Sequence, residues 1–169
     1  MEAQDAQRLA IYLMAKHGLT DKGWKFRFNK RLTTAGKAIE KRTGEKWIEL
    51  SIMFVEINSE ESVKNTILHE IGHALRGIKY GHDLQWKLVV RSIGGDGSTY
   101  CNSSTIQPSG IGRWLCTACG SSKEIHRKPK EGVRYSCAKC LRKHGRTRMN
   151  TARFELKLEY YAERRSENH

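Results

Sequence analysis

Two groups of residues in this chain have the types and spacing of metal ligands. The first is His69-Glu70-Ile71-Gly72-His73, an HExxH motif. Residues i and i+4 of a helix differ by about 40° around its axis, so both imidazoles leave from one face. They can bind one Zn²⁺ at about 2.0–2.1 Å. Glu70 sits about 100° further round, near the coordination position left open. A carboxylate there can take a proton from a water molecule and later hand it to a leaving amine. With 7 His in 169 residues, a chance HExxH is expected only about 0.02 times.

A catalytic zinc needs a third protein ligand and an open fourth position. His82 follows His73 by nine residues, beyond Gly77, where a turn can bring the chain back toward the metal. Asp83 is the rival third ligand. The spacing is longer than in the metzincin pattern HExxHxxGxxH.

The second group is Cys116-Thr117-Ala118-Cys119 with Cys137-Ala138-Lys139-Cys140, a C-x2-C-x17-C-x2-C array. This lies within the spacing window of zinc ribbons. Four thiolates close a tetrahedral site with no position for water, so the expected role is structural. Such a site also supplies folding energy to a module too small for its own core. Cys101 is left over and reads as an ordinary reduced thiol, with no metal assigned.

Local pattern places both groups on elements. Ala6, Leu9, Ala10 and Leu13 make Ala3–His17 an amphipathic helix. Trp24, Phe26 and Phe28 alternate with Lys25 and Arg27 as in a strand. Ala35–Lys41 and Lys46–Ile52 read as a hairpin around Arg42-Thr43-Gly44-Glu45. The HExxH lies on a helix from about Glu61 to Leu75, with Val63, Ile67, Ile71 and Leu75 as its apolar stripe. Ser59 or Ser62 caps it, and Gly77 follows its end. A further helix is expected from Leu84 to about Arg91, with Asp83 as N-cap. Residues 92–112 contain twelve Gly, Ser or Thr, the composition of a linker or a functional loop. The last stretch, around Phe154 to Tyr161, fits a strand or a helix. Trp24, Trp47 and Trp86 are expected in the core.

Lys and Arg total 31 against 18 Asp and Glu, a formal charge of +13. This excludes an acidic solvating tail and points to a polyanionic partner. Residues 111–169 carry 15 basic and 6 acidic side chains, residues 1–110 carry 16 and 12. The surplus thus surrounds the cysteines, in Arg127, Lys128, Lys130, Arg134, Lys139, Arg142, Lys143, Arg146 and Arg148, with Trp114 and Tyr135 among them. Cations neutralise phosphates and aromatic faces stack bases, so a sequence-tolerant grip on DNA is expected. No run of 18 apolar residues marks a membrane span. Glu2, Asp5, Arg8 and Lys16 interrupt any signal-peptide stretch. A cytoplasmic monomer without membrane contact is expected, nucleoid-associated if bacterial or viral.

The ordered set of motifs resembles the SprT-like metalloproteases, including the Spartan type. The resemblance runs from about residue 5 to 142. It is carried by Trp24-Lys25-Phe26-Arg27-Phe28-Asn29, Thr33-Thr34-Ala35-Gly36, Ile48-Glu49-Leu50-Ser51, Thr66 through Ala74, His82 with Trp86, and the four-cysteine ribbon. It implies a DNA-associated zinc endopeptidase acting on proteins bound or crosslinked to DNA. It also implies His69, His73 and His82 as zinc ligands and Glu70 as catalytic acid/base. Where the family usually has Gly after the third His, this chain has Asp83.

The expected fold is α+β. A zincin-like metalloprotease domain over 1–93 would have a small mixed sheet packed on helices and an HExxH helix. A connecting segment over 94–112, a zinc ribbon over 113–150 and a basic extension over 151–169 would follow. The expected cofactors are one catalytic and one structural Zn²⁺. Two other functional classes stay open: a non-catalytic zinc-ribbon nucleic-acid binder, and a general zinc peptidase without DNA dependence.

Overall fold

The computed structural model describes residues 1–99 and 105–161. Cys101 and the residues after 161, part of the expected C-terminal extension, lie outside this range. The chain forms two compact units, Met1–Pro108 and Ser109–His169. Both mix helices with a small sheet.

The first unit begins with helix α1 (Ala3–Lys16). Strands β1 (Trp24–Asn29), β2 (Gly36–Glu40) and β3 (Lys46–Ser51) form a sheet in the order β1-β3-β2. β1 runs parallel to β3, and β2 runs antiparallel to it. Register aligns Phe26, Ile48 and Ala38 in one cross-strand row, and Phe28, Leu50 and Gly36 in the next. Because strand side chains alternate between faces, these rows share one side of the sheet. They meet Ala6, Ala10, Leu13 and Met14 of α1 and Val63, Ile67 and Ile71 of the HExxH helix in one core.

Helix α2 (Ile52–Ile57) follows β3 directly. The alternation Ile48, Leu50, Ile52 extends the strand to 52 in the sequence reading; the structure ends it at Ser51. Ser51 caps α2 by accepting from the Phe54 amide, and Phe54 and Val55 are fully buried. Four consecutive apolar residues, Ile52 to Val55, cannot all face one side of a strand, and a helical turn buries two of them in the core. Trp24 and Trp86 are buried as expected. Trp47 is not: it lies half-buried on the outward face of the sheet, with Arg27 4.5 Å and Lys25 5.8 Å from its ring centroid.

Helix α3 (Glu60–Arg76) carries the HExxH, and helix α4 (Leu84–Ser92) packs beside it. The described residues beyond α4, up to 99 and again from 105 to Pro108, belong to this unit, past the limit at residue 93 expected from composition. Two asparagines account for the difference. The Asn58 side chain bonds both the amide and the carbonyl of Ile106 at 2.8 Å. The Asn65 side chain bonds Asp96 through its carboxylate at 2.7 Å and its amide at 3.0 Å.

The second unit is built on an antiparallel sheet, β5 (Ser122–Ile125), β4 (Gly112–Cys116) and β6 (Leu156–Tyr160), in that order. Short helices α5 (Ala138–His144) and α6 (Arg148–Arg153) connect β5 to β6. The ambiguous last stretch is therefore a strand, and it joins the sheet of the second unit rather than trailing from it. A two-stranded hairpin is marginal alone, and β6 supplies a third strand whose Leu156 packs on the cysteine cluster. Among the described residues, no helix is long and apolar enough to cross a membrane.

Candidate metal centres

Ser59 caps α3, its hydroxyl accepting from the Ser62 amide at 3.3 Å. Its buried stripe, Val63, Ile67 and Ile71, faces the core and leaves His69 and His73 on the flank toward α4. Asp83 caps α4 by accepting from the Trp86 amide at 2.7 Å. The same carboxylate pairs with Arg76 of the last turn of α3 at 2.8 Å. These bonds anchor both ends of the turn that carries His82. Asp83 is thus engaged as a cap and an ion-pair partner, and the ligand-like group contains His82 instead.

The three Nε2 atoms form a tight triangle. His73 stands 3.2 Å from His69 and 3.0 Å from His82, and His82 stands 3.0 Å from His69. A tetrahedral zinc with nitrogen ligands at 2.0–2.1 Å requires N···N edges of about 3.3–3.4 Å, so the triangle is slightly tighter than a bound ion would set. Burial is the main force holding the His69 and His73 imidazoles down, to a pKa of about 4 in each; neighbouring imidazoles add to it. His82 is lowered as well, chiefly by burial. Three neutral rings with converging nitrogens offer lone pairs to a cation, which is the donor set zinc takes.

Trp86 backs this group. It is fully buried, and its ring centroid lies 4.7, 5.1 and 4.5 Å from those of His69, His73 and His82. Gly72 makes the approach possible: a Cβ there would come within 3.1 Å of the Trp86 Nε1 and collide with Val90. The His69 ring also hydrogen-bonds the backbone of Ser98, in the Gly/Ser-rich segment. Such outer contacts fix the orientation of a ligating ring.

Glu70 is 6% exposed. Burial pushes its carboxyl up to about 8, against a backbone hydrogen bond from Ala38 that favours the charged form. Strand β2 walls it in. A Cβ on Gly36 would lie 2.8 Å from the Glu70 Cγ and 2.9 Å from its Oε1, so only glycine leaves room for this carboxylate.

In the second unit the cysteine sulfurs form another cluster. Cys116 and Cys140 are 3.8 Å apart, and Cys119 and Cys137 are 3.7 Å apart. Four thiolates at about 2.3 Å from one zinc have S···S edges of about 3.8 Å, and a disulfide would need about 2.05 Å. The spacing fits a shared ion. Ser121 stands 3.0 Å from Cys119 and 3.5 Å from Cys137, and its hydroxyl is the main cause holding both thiols below their usual pKa, Cys137 at about 6. Burial pushes Cys140 up to about 12, a cost that a bound cation would offset.

Residues 8–106 match the family described as SprT-like. The chain belongs to the SprT-like family. It is 26% identical over 94 residues to Protein SprT of Pseudomonas fluorescens, a match covering 49% of this chain and 57% of that protein. It therefore spans little more than half the length of that relative.

The SprT-like match holds the whole histidine group and Glu70; the four cysteines lie beyond it. Among the expected nucleic-acid residues, Trp114 and Tyr135 are half-buried, with ring centroids 4.8 Å apart. Arg127, Lys128, Lys130, Arg134, Arg142, Lys143, Arg146 and Arg148 are exposed around the second unit. Arg134 lies 3.8 Å from Glu155. Sequence reasoning missed Ser98, Ser121 and the space-making role of Gly36. The Thr33-Thr34-Ala35-Gly36 match lies at Gly36 and the first CxxC pair two residues before Ser121, but neither motif assigns these residues a role.

Proposed function

We propose that this chain is a zinc-dependent endopeptidase that acts on proteins bound or crosslinked to DNA. The first unit, of zincin-like architecture, would cleave, and the cysteine unit would hold DNA without reading its sequence. The observation that carries this reading is three imidazole nitrogens within 3.2 Å of one another, two of them on the helix that also holds the buried Glu70 and the third, from His82, in the turn before α4.

A zinc ion held by His69, His73 and His82 would supply Lewis-acid polarisation of the scissile carbonyl and a lowered pKa for the attacking water. The rest of the chemistry belongs to the chain. Glu70, shielded by β2, accepts a proton at a carboxylate oxygen as the water attacks. It then donates that proton to the amine leaving group. Its burial suits both steps: a carboxylate whose pKa is raised toward neutrality takes up a proton more readily than an ordinary one and can still release it to the amine, so it serves as base and then as acid. The Arg76–Asp83 pair and the Trp86 ring keep His82 in place beside the other two.

The zinc-loaded chain should be assayed on a DNA-binding protein substrate with and without DNA. Cleavage is expected to rise at least tenfold when DNA holds enzyme and substrate together, an effective-concentration gain. Equal cleavage in both conditions would identify a general zinc peptidase. No cleavage in either would identify a nucleic-acid binder without catalysis.

A second expectation follows from β2. Gly36→Ala should displace Glu70 while leaving zinc binding intact. Hydrolysis of a DNA-free peptide should fall at least tenfold in kcat at unchanged zinc content. Wild-type kcat in this variant would show that β2 does not set the position of the carboxylate.

A further inference from the structure

Charge is segregated within the first unit. Residues 22–46 hold nine basic side chains and two acidic ones, Glu40 and Glu45, whereas residues 47–75 hold one basic side chain and five acidic ones. The basic stretch contains β1 and β2, and strand alternation decides where its charge points. With Phe26, Phe28, Ile48, Leu50 and Ala38 turned to the core, the intervening residues share the opposite face. Register sets them in two rows, Lys25–Trp47–Ile39 and Arg27–Glu49–Lys37.

The one carboxylate in these rows lies under the cations. The Glu49 side chain is 4% exposed, and it accepts from Arg27 Nε at 2.7 Å and from Asn29 Nδ2 at 3.2 Å. Arg31 reaches it from beyond the end of β1 at 3.9 Å. The Arg27 and Arg31 side chains remain 44% and 46% exposed. Lys25 and Lys37 are exposed as well. Trp47 is half-buried, its ring taken by Arg27 and Lys25. At the hairpin tip, Glu45 pairs with Lys41. A buried carboxylate and an indole therefore hold a layer of cations facing outward.

We propose that this outward face of the β1-β3-β2 sheet is a nucleic-acid surface of the first unit, taking the phosphate backbone on Lys25, Arg27, Arg31 and Lys37. Lys25 and Arg27 are separated by two residues of strand, about 6.7 Å, and Arg27 and Lys37 by two strand spacings, about 9.6 Å. Phosphates recur about every 3.4 Å of helix axis on each strand, so several fall within this patch. Arg27 and Arg31 are already oriented by Glu49, so they lose less side-chain freedom on binding. Protein partners concentrate their binding on buried aromatic anchors. Here the one aromatic ring is covered by this protein's own cations, which favours a phosphate chain over an acidic polypeptide. The inference goes beyond the ribbon grip and is independent of peptide hydrolysis.

The test uses the full zinc-loaded chain and two variants, Lys25→Gln/Arg31→Gln/Lys37→Gln on the sheet and Arg142→Gln/Lys143→Gln/Arg146→Gln on the ribbon. Arg27 is left in place because its loss would strand the buried Glu49. Binding to a labelled 30-nucleotide DNA, single- and double-stranded, is followed by anisotropy across salt concentrations, with poly-glutamate as a second polyanion. The sheet variant is expected to bind DNA at least tenfold more weakly at 0.1 M salt. Its slope of log affinity against log salt should be shallower by about 2–3, since each lost phosphate contact removes about 0.7–0.9. Unchanged DNA affinity and slope in the sheet variant would overturn the proposal, whatever the ribbon variant does. An equal fold-loss for poly-glutamate would also overturn it, in favour of an acidic protein partner. Loss in the sheet variant with none in the ribbon variant would uphold the sheet surface and remove the ribbon grip. If the triple variant melts lower than wild type, Lys25→Gln/Lys37→Gln leaves every contact of Glu49 in place and carries the test with an expected slope change of about 1.4–1.8.

Discussion

Glu70→Gln is expected to lower kcat for peptide hydrolysis by at least a factor of about 10³, within the range for loss of a positioned general base. The amide fills the same space, and the wall formed by Gly36 has room for it. It cannot take the proton of an attacking water, nor carry one to the leaving amine. The interaction lost exists only in the transition state, so kcat and kcat/KM should fall together while KM stays near its wild-type value. Glu70 is no member of the three-imidazole group, so zinc content should be unchanged. Steady-state kinetics on a DNA-free peptide, with zinc measured on the same samples, checks each part. A variant that cleaves as fast as wild type removes Glu70 from the mechanism. A variant that loses zinc as well reassigns the residue to metal binding.

The second unit is expected to depend on a metal held by its cysteine cluster for its fold. Its buried core consists of Cys116, Cys137, Cys140, Leu141 and Phe154, with Leu156 packed against them. Three of the five buried members are thiols, and little apolar area remains to offset the conformational entropy of about 50 residues. Zinc binding at such sites contributes about 10–16 kcal/mol of apparent folding free energy at pH 7. Cys116→Ala/Cys140→Ala is therefore expected to remove one zinc of two and to unfold the second unit. Amide protection should vanish from β4, β5 and β6 and persist in α1, α3 and β3. The first unit has its own core, built from α1, the sheet and α3, so its melting transition should survive. Full protection of β4 to β6 in this variant would show that the cluster is not the keystone of the unit. Two zincs retained would show that the cysteines are not ligands.

Several features were legible from sequence because they depend on residues within a few positions of one another. The spacing of His69 and His73 set both on one side of a helix, and Ser59 and Asp83 sit at the cap positions expected of them. The strand-like alternation of Trp24 to Phe28 and the tip at Arg42 to Glu45 were likewise local. The CxxC spacing brought the two sulfurs of each cysteine pair within 4.8 Å of each other. The motif run from Trp24 to His82 also sufficed to place the chain in its family, and residues 8–106 match it.

Other features depend on contacts across long stretches of chain. Whether His82 or Asp83 completes the histidine group was settled by Arg76, which takes the carboxylate into an ion pair while the α4 cap holds its other oxygen. Ile52 left the strand because a turn of helix buried Phe54 and Val55. Residues 156–160 became a strand because β4 offered a free edge, and residues near 96 and 106 stayed with the first unit because Asn65 and Asn58 bind them. Trp47 faces outward because sheet register gave the inner positions to its neighbours. Helix and strand periods, caps and ligand spacings are written in neighbouring residues, whereas burial, register and the choice between two adjacent ligands are set by what packs against them. The HExxH and the cysteine pairs follow from the sequence alone; the enclosure of Glu70 by Gly36, and the cations gathered over Glu49, exist only once the strands have paired.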